Sequence, residues 1–169
     1  MHPVAAAATA MLDQCEAFIR TIPSDAYTVE SRALKGGTIG KHIRHTLDHY
    51  RAALAACTGT IIDYDRRERD VPMETDPEAA LRAIDDLRRA VEGLKRSDLA
   101  SPVRIRVMVS GDGTEVELGS TLARELAFAS HHAVHHHAML GAIAEEVGVS
   151  VSQDFGKAPS TLSYERGMR

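Results

Sequence analysis

The chain lacks tryptophan and has few aromatic residues of any kind. Aromatics make up 4% of its 169 residues, whereas hydrophobic residues in total make up 44%. Alanine and leucine therefore supply most of the packing surface, which suits close helix contacts better than a β-sandwich core. The hydrophobic share excludes a disordered chain, and the length is typical of one domain. We expect a single domain over residues 1–169.

The chain also has few cysteines and no excess of positive charge. Cys15 and Cys57 form no CxxC motif, so we expect free thiols that act as small apolar core residues in a reducing compartment, the cytoplasm. The net charge of −4 argues against nucleic acid as a partner, because phosphate binding needs a basic surface. No apolar run reaches the roughly 18 residues of a membrane span. The alanine-rich start has no lysine or arginine, which predicts a first helix rather than a signal peptide.

Four long segments have the periodicity of amphipathic helices. The predicted helices cover residues 4–22, 39–57, 75–97 and 120–147. Thr38 is the expected N-cap of the second helix, and Thr75 with Glu78 has capping-box spacing at the start of the third. Four long helices with short connections predict an all-α four-helix bundle.

A different period separates the third and fourth helices. Val103, Ile105 and Val107 alternate with other residues, and Asp112-Gly113 is a turn signal, which together predict a short β-hairpin. We expect the C-terminal tail, residues 149–169, to pack on the bundle.

Histidines are concentrated in two of the predicted helices. Of nine histidines, all but His2 fall in two groups, which are His42, His45 and His49 in the second helix and His131, His132, His135, His136 and His137 in the fourth. Imidazole is a common ligand of zinc and nickel, and residues four apart lie on one helix face. On a helical wheel of the fourth helix His132 and His136 face the bundle, and His131 faces solvent.

In the second helix the pattern does not decide which histidine would be the metal ligand. His42, His45 and His49 form a stripe beside the apolar sector, and the wheel slightly favours His42 or His49 over His45. A histidine-rich run can also be a surface feature or a weak adventitious chelator. Two inward-facing imidazoles without a partner would be costly, however. The pattern therefore predicts a divalent metal ion held between the two helices.

Two segments resemble those of the DinB-like (DinB/YfiT) superfamily. Residues 38–45, TIGKHIRH, are similar to its Ile-Gly…His segment, and residues 132–138, HAVHHHA, are similar to its HxxHH-containing segment. The order of helices resembles the family over most of the chain. The resemblance implies a four-helix bundle with an open metal site whose ligands are His45, His132 and His136. It also implies zinc or nickel as the metal, and a homodimer.

The resemblance implies a class of activity but no substrate. Some members are metal-dependent transferases that use low-molecular-weight thiols such as bacillithiol or mycothiol, and others are hydrolases or isomerases. Here His137-Ala138-Met139 replaces the Arg-Gly-Gln that often follows the second ligand pair, and the hairpin and tail are not general family features. We expect a metal-dependent enzyme of the transferase or hydrolase type acting on a small molecule. The alternative is a non-catalytic metal-binding structural dimer or stress-response protein.

Further residues are candidates for the surroundings of the metal. His42 is expected near the site, and Asp48 or His49 could orient a ligand. The charge-dense connector at residues 64–70 is either a solvated loop or a segment that brings Tyr64 or an arginine over the metal, where a guanidinium could bind an anionic substrate.

Overall fold

The computed structural model describes residues 1–66 and 71–168, and over these residues the protein is mostly helical with a small sheet. Its α-helices are α1 (Pro3–Thr21), α2 (Ile39–Ala55), α3 (Pro77–Glu92), α4 (Arg96–Leu99), α5 (Leu122–Glu146) and α6 (Pro159–Glu165). Short 3-10 turns lie at Ser24–Ala26, Ala56–Thr58 and Pro72–Glu74. The predicted mainly helical fold is confirmed. Within the described ranges no helix is both long and apolar enough to cross a membrane.

Capping side chains set where the long helices begin. Thr38 caps α2 as expected, because its hydroxyl accepts a hydrogen bond from the Lys41 amide at 3.1 Å. The expected cap of α3 is wrong by one residue, since Asp76 and not Thr75 is the N-cap and accepts from the Glu78 amide at 2.9 Å. Pro77 in the first turn explains the difference, because its fixed φ starts the helix directly after Asp76. α3 also ends earlier than predicted, at Glu92.

The sheet contains β1 (Ile62–Asp63), β2 (Pro102–Met108) and β3 (Glu115–Thr121), in the order β1-β2-β3. β2 and β3 pair antiparallel, with Val107 opposite Val116. β1 pairs parallel to β2, with Ile62 opposite Ile105. Two residues are too short to show a period of two, so the sequence did not indicate β1. This pairing holds the segment after α2 close to the helices.

The main core lies between the four long helices. α1 and α2 each pack against both α3 and α5. One face of α5 is apolar and buried against the other helices, and its buried members are Leu122, Leu126, Ala129, Ala133, Leu140 and Ile143. Cys15 is buried, which raises the pKa of its thiol to about 12. Cys57 is exposed, so its expected place in the core is wrong, because α2 ends before it in a surface turn.

Close contacts fix α2 and the C-terminal tail in place. Gly40, in the first turn of α2, lies so near the Glu74 carbonyl and the Tyr27 ring that any Cβ would collide with them. In the tail, the Phe155 ring stacks on Phe18 at 4.9 Å and on His137 at 4.9 Å. The tail is thereby tied to α1 and α5.

Candidate metal centre

Histidine rings from α2 and α5 meet where these two helices pack together. The Nε2 atoms of His132 and His45 are 2.8 Å apart, and those of His136 and His132 are 3.0 Å apart. One nitrogen from each of the three rings lies within 4.8 Å of those of the other two. We call His45, His132 and His136 the histidine triad. His132 and His136 are one helical turn apart, which places their rings on one face of α5.

Hydrogen bonds alone satisfy this arrangement poorly. A neutral imidazole has one N–H and one nitrogen lone pair, whereas Nε2 of His132 lies within hydrogen-bonding distance of both other rings. A single proton or lone pair cannot bond well in both directions. A divalent ion could accept all three lone pairs. Two nitrogens at about 2.1 Å from one tetrahedral ion are roughly 3.4 Å apart, and the three nitrogens here lie within 4.8 Å of one another. The donor set and its spacing therefore suit one divalent metal ion.

Burial keeps part of the triad in the form that binds metal. His136 is 8% exposed, and desolvation, together with the neighbouring His132 and His42, lowers its pKa to about 3. The ring is therefore neutral near pH 7. Metal ligation needs a neutral imidazole with a free lone pair, so no proton has to be removed from His136 when an ion binds.

His42 contacts the side of His136 that faces away from the triad. The Nδ1 atoms of the two rings are 2.9 Å apart. His42 is half-buried, and burial lowers its pKa. If Nε2 of His136 gives its lone pair to a metal, Nδ1 must carry the proton, and Nδ1 of His42 is placed to accept it. A ligating histidine usually donates its second N–H to a carboxylate, a backbone carbonyl or water, and here the imidazole of His42 stands in that place.

His49 packs behind the triad rather than in it. Its Nδ1 donates to the His45 carbonyl at 2.9 Å, and its ring stacks on His132 at 3.9 Å. Burial lowers the pKa of His49 to about 4. The wheel slightly favoured His42 or His49 over His45, whereas the α2 ring whose nitrogen lies within 4.8 Å of both α5 nitrogens is that of His45. A wheel gives the direction of each Cβ but not the position of the neighbouring helix.

A buried carboxylate supports this side of the site. Glu125 is fully buried and accepts hydrogen bonds from the Tyr64 hydroxyl at 2.7 Å and from the Ser120 hydroxyl at 2.5 Å. The Tyr64 ring stacks on His49 at 5.1 Å. Tyr64 therefore reaches the triad through His49, and also through Phe128, whose ring stacks on His132 at 5.9 Å. The sequence did not indicate Glu125, although a glutamate among the apolar positions of the fourth helix was a possible signal.

The other predicted candidates lie outside the triad. His131 and His135 are exposed. His137 is fully buried, and neither ring nitrogen has a hydrogen-bond partner in the described part of the chain. Burial lowers the pKa of His137 to about 4, so it packs as a neutral ring against the tail. In the charge-dense connector, Arg66 is exposed and pairs with Asp63 and Glu115, and residues 67–70 lie outside the described ranges.

A cavity of about 740 Å³ opens beside the triad. Its volume is within the range of small-molecule sites. His45 and His136 line it, together with the loop that precedes α2 and with Met139. Glu146 holds that loop, because its carboxylate accepts hydrogen bonds from the Ser31 hydroxyl and the Arg32 amide, both at 2.9 Å. A ligand in the cavity would therefore lie next to two rings of the triad.

Comparison with known proteins gives one family and one relative. The model of the DinB superfamily matches residues 3–140. The chain is 36% identical over 106 residues to FK506-binding protein 5 of Rhizopus delemar, an alignment that covers 62% of this chain and 28% of that protein. The chain thus spans well under half the length of this curated relative.

Proposed function

This chain belongs to the DinB superfamily, and we propose that it is a metal-dependent enzyme whose histidine triad binds one divalent ion. The observation that supports this most is the convergence of three imidazole nitrogens from two helices. Three protein ligands that leave a position open are the pattern of catalytic metal sites, whereas four protein ligands are the pattern of structural ones.

Each residue of the centre has a distinct part in the proposed mechanism. His45, His132 and His136 hold the ion, and His42 keeps the Nδ1 proton of His136 in place. When bound, a divalent ion supplies Lewis-acid chemistry at its open position. The cavity beside the triad holds the substrate, and Leu34 and Met139 offer apolar contacts within its lining.

The cavity favours an enzyme of the transferase or hydrolase type over a purely structural metal site. A structural ion between α2 and α5 needs no space beside it, whereas a reaction needs room for a substrate. The name of the Rhizopus relative describes binding of FK506, and the aligned 28% of that protein is too small a share to assign this ligand here.

Several finer features belong to the same proposal. The four long helices form the four-helix bundle of the family, with β2 and β3 as a β-hairpin added between the third and fourth. The chain is one domain over residues 1–169, works in the cytoplasm and forms a homodimer. Zinc or nickel is the expected metal, and neither nucleic acid nor a membrane is expected as a partner.

Elemental analysis of protein purified without a histidine tag tests the proposal. We expect about one zinc or nickel ion per chain in the wild type and almost none in the His132→Ala/His136→Ala variant. The His131→Ala variant is the matched control, because it removes an exposed imidazole from the same helix and should keep its metal.

Two results would contradict the proposal. Equal metal content in the wild type and the double variant would show that the triad is not the site. A metal centre with a fourth protein ligand and no exchangeable position, together with a large loss of thermal stability on chelation, would support the structural alternative instead.

A further inference from the structure

The charged side chains around the cavity are unevenly distributed in sign. Three basic residues, Lys35, Lys41 and Arg44, line it. Among the described residues of the lining, Glu74 is the one that is acidic. A guanidinium nitrogen of Arg44 donates a hydrogen bond to the Glu74 carboxylate, so the two side chains form an ion pair. These two charges compensate each other, which leaves the two lysines as the excess charge of the cavity.

The two lysines lie on the side formed by the loop before α2. The Nζ atom of Lys41 donates to the Gly36 carbonyl at 2.8 Å. An ammonium group has three N–H donors, so Lys41 keeps two more while this bond holds it against the loop. Lys35 belongs to the same loop and is exposed, and the bonds of Ser31 and Arg32 to Glu146 fix that loop to α5.

Two rings of the triad line the same cavity. His45 and His136 line it, and so does His42, whose Nε2 lies beside Gly37 of the loop. A bound molecule could therefore contact both the metal position and the ammonium groups. Leu34 and Met139 are apolar residues in the rest of the lining. A molecule suited to this cavity has a metal-binding atom, a short apolar segment and a negative group.

We propose that the substrate of this site is a small organic molecule that bears an oxyanion, a carboxylate or phosphate, which Lys35 and Lys41 bind while its reactive atom faces the histidine triad. This inference rests on the proposed metal function. It places anion recognition on Lys35 of the loop before α2 and on Lys41 in the first turn of α2, and not on the arginines of the 64–70 connector.

Two thiols that differ by one charge test the inference on the Co²⁺-loaded protein. The probes are 3-mercaptopropionate and 3-mercaptopropanamide, whose thiolates bind Co²⁺ and produce a charge-transfer absorption band that reports occupancy. The measured quantity is the ratio of the two dissociation constants in each protein. The two thiols also differ in acidity, but that difference affects the ratio equally in every protein. A change in the ratio between variants therefore reports the contribution of the carboxylate to binding.

We expect Lys35→Gln/Lys41→Gln to lower the preference for the carboxylate thiol on the order of tenfold, because two partly exposed ion pairs are lost. Binding of the amide should stay unchanged. The matched control is Lys95→Gln/Lys157→Gln, which removes the same charge away from the cavity and should keep the preference. Lys35→Gln alone should give an intermediate ratio, and it serves as the test if the double variant does not fold.

The outcomes separate this inference from the proposed function. If all proteins bind Co²⁺ and the thiols but the Lys35/Lys41 variants keep the wild-type preference, the oxyanion proposal is wrong and the metal site stands. If the control variant loses the preference equally, the effect is one of net charge and the proposal is also wrong. If the wild type takes up no Co²⁺, the metal proposal fails and this one fails with it.

Discussion

Replacing His42 examines whether a residue that does not bind the metal itself determines how well the triad binds it. In His42→Leu the acceptor that faces Nδ1 of His136 at 2.9 Å is removed. Loss of such a partner typically weakens metal affinity 10- to 100-fold. His42 is only half-buried, so water can replace part of the lost bond. We therefore expect a loss of about tenfold, or about 1.4 kcal/mol.

The matched variant is His42→Asn, which is similar in size to leucine and keeps an oxygen close to the position of Nδ1. It should recover most of the affinity. Competition titrations of Zn²⁺ against a chromophoric chelator give the dissociation constants, and thermal unfolding of the metal-free proteins shows whether the fold is altered. Equal zinc affinity in His42→Leu and wild type, or equal losses in both variants, would refute a role through hydrogen bonding.

Two further predictions concern the supports of the site. Glu146 has a pKa below its usual 4.5, chiefly because the Arg32 amide donates to it, so its stabilisation is present above that value and lost as the pH falls through the lower folded pKa. Glu146→Gln should therefore have a lower melting temperature than wild type at pH 7, and the difference should disappear once the pH falls below the lowered pKa of Glu146. A difference that does not vary with pH would contradict this. Tyr64→Phe removes one hydrogen bond from the buried Glu125 carboxylate and should cost about 1–3 kcal/mol in urea unfolding, whereas a change below about 0.5 kcal/mol would show that Glu125 is satisfied without it.

The helices were largely predictable because their signals are local. Thr38 marks the start of α2, and the apolar sector of the fourth predicted helix is the buried face of α5. Where the prediction was wrong, a second local effect competed, as at Pro77, which made Asp76 the cap of α3 in place of Thr75. β1 was missed because its two residues become a strand only through pairing with β2.

Part of the candidate site could likewise be predicted from local signals, and part could not. Spacing and the wheel were enough to select His132 and His136, since both lie on one helix and their relation is fixed by helical geometry. The choice among His42, His45 and His49 needed the family resemblance, and the structure brings His45 into the triad. His42 instead contacts His136 through its Nδ1 atom, and the His49 ring stacks on His132.

The sequence by itself determined the helical segments, the two histidine groups and the inward-facing pair on α5, because these follow from residue types and from periods within one element. Only the tertiary structure decided which ring of α2 meets that pair, that Glu125 is buried against Tyr64, and that Lys35 and Lys41 line the cavity beside the triad. Such relations depend on how far apart and at what rotation two helices pack. That geometry comes from the whole core, not from any one segment.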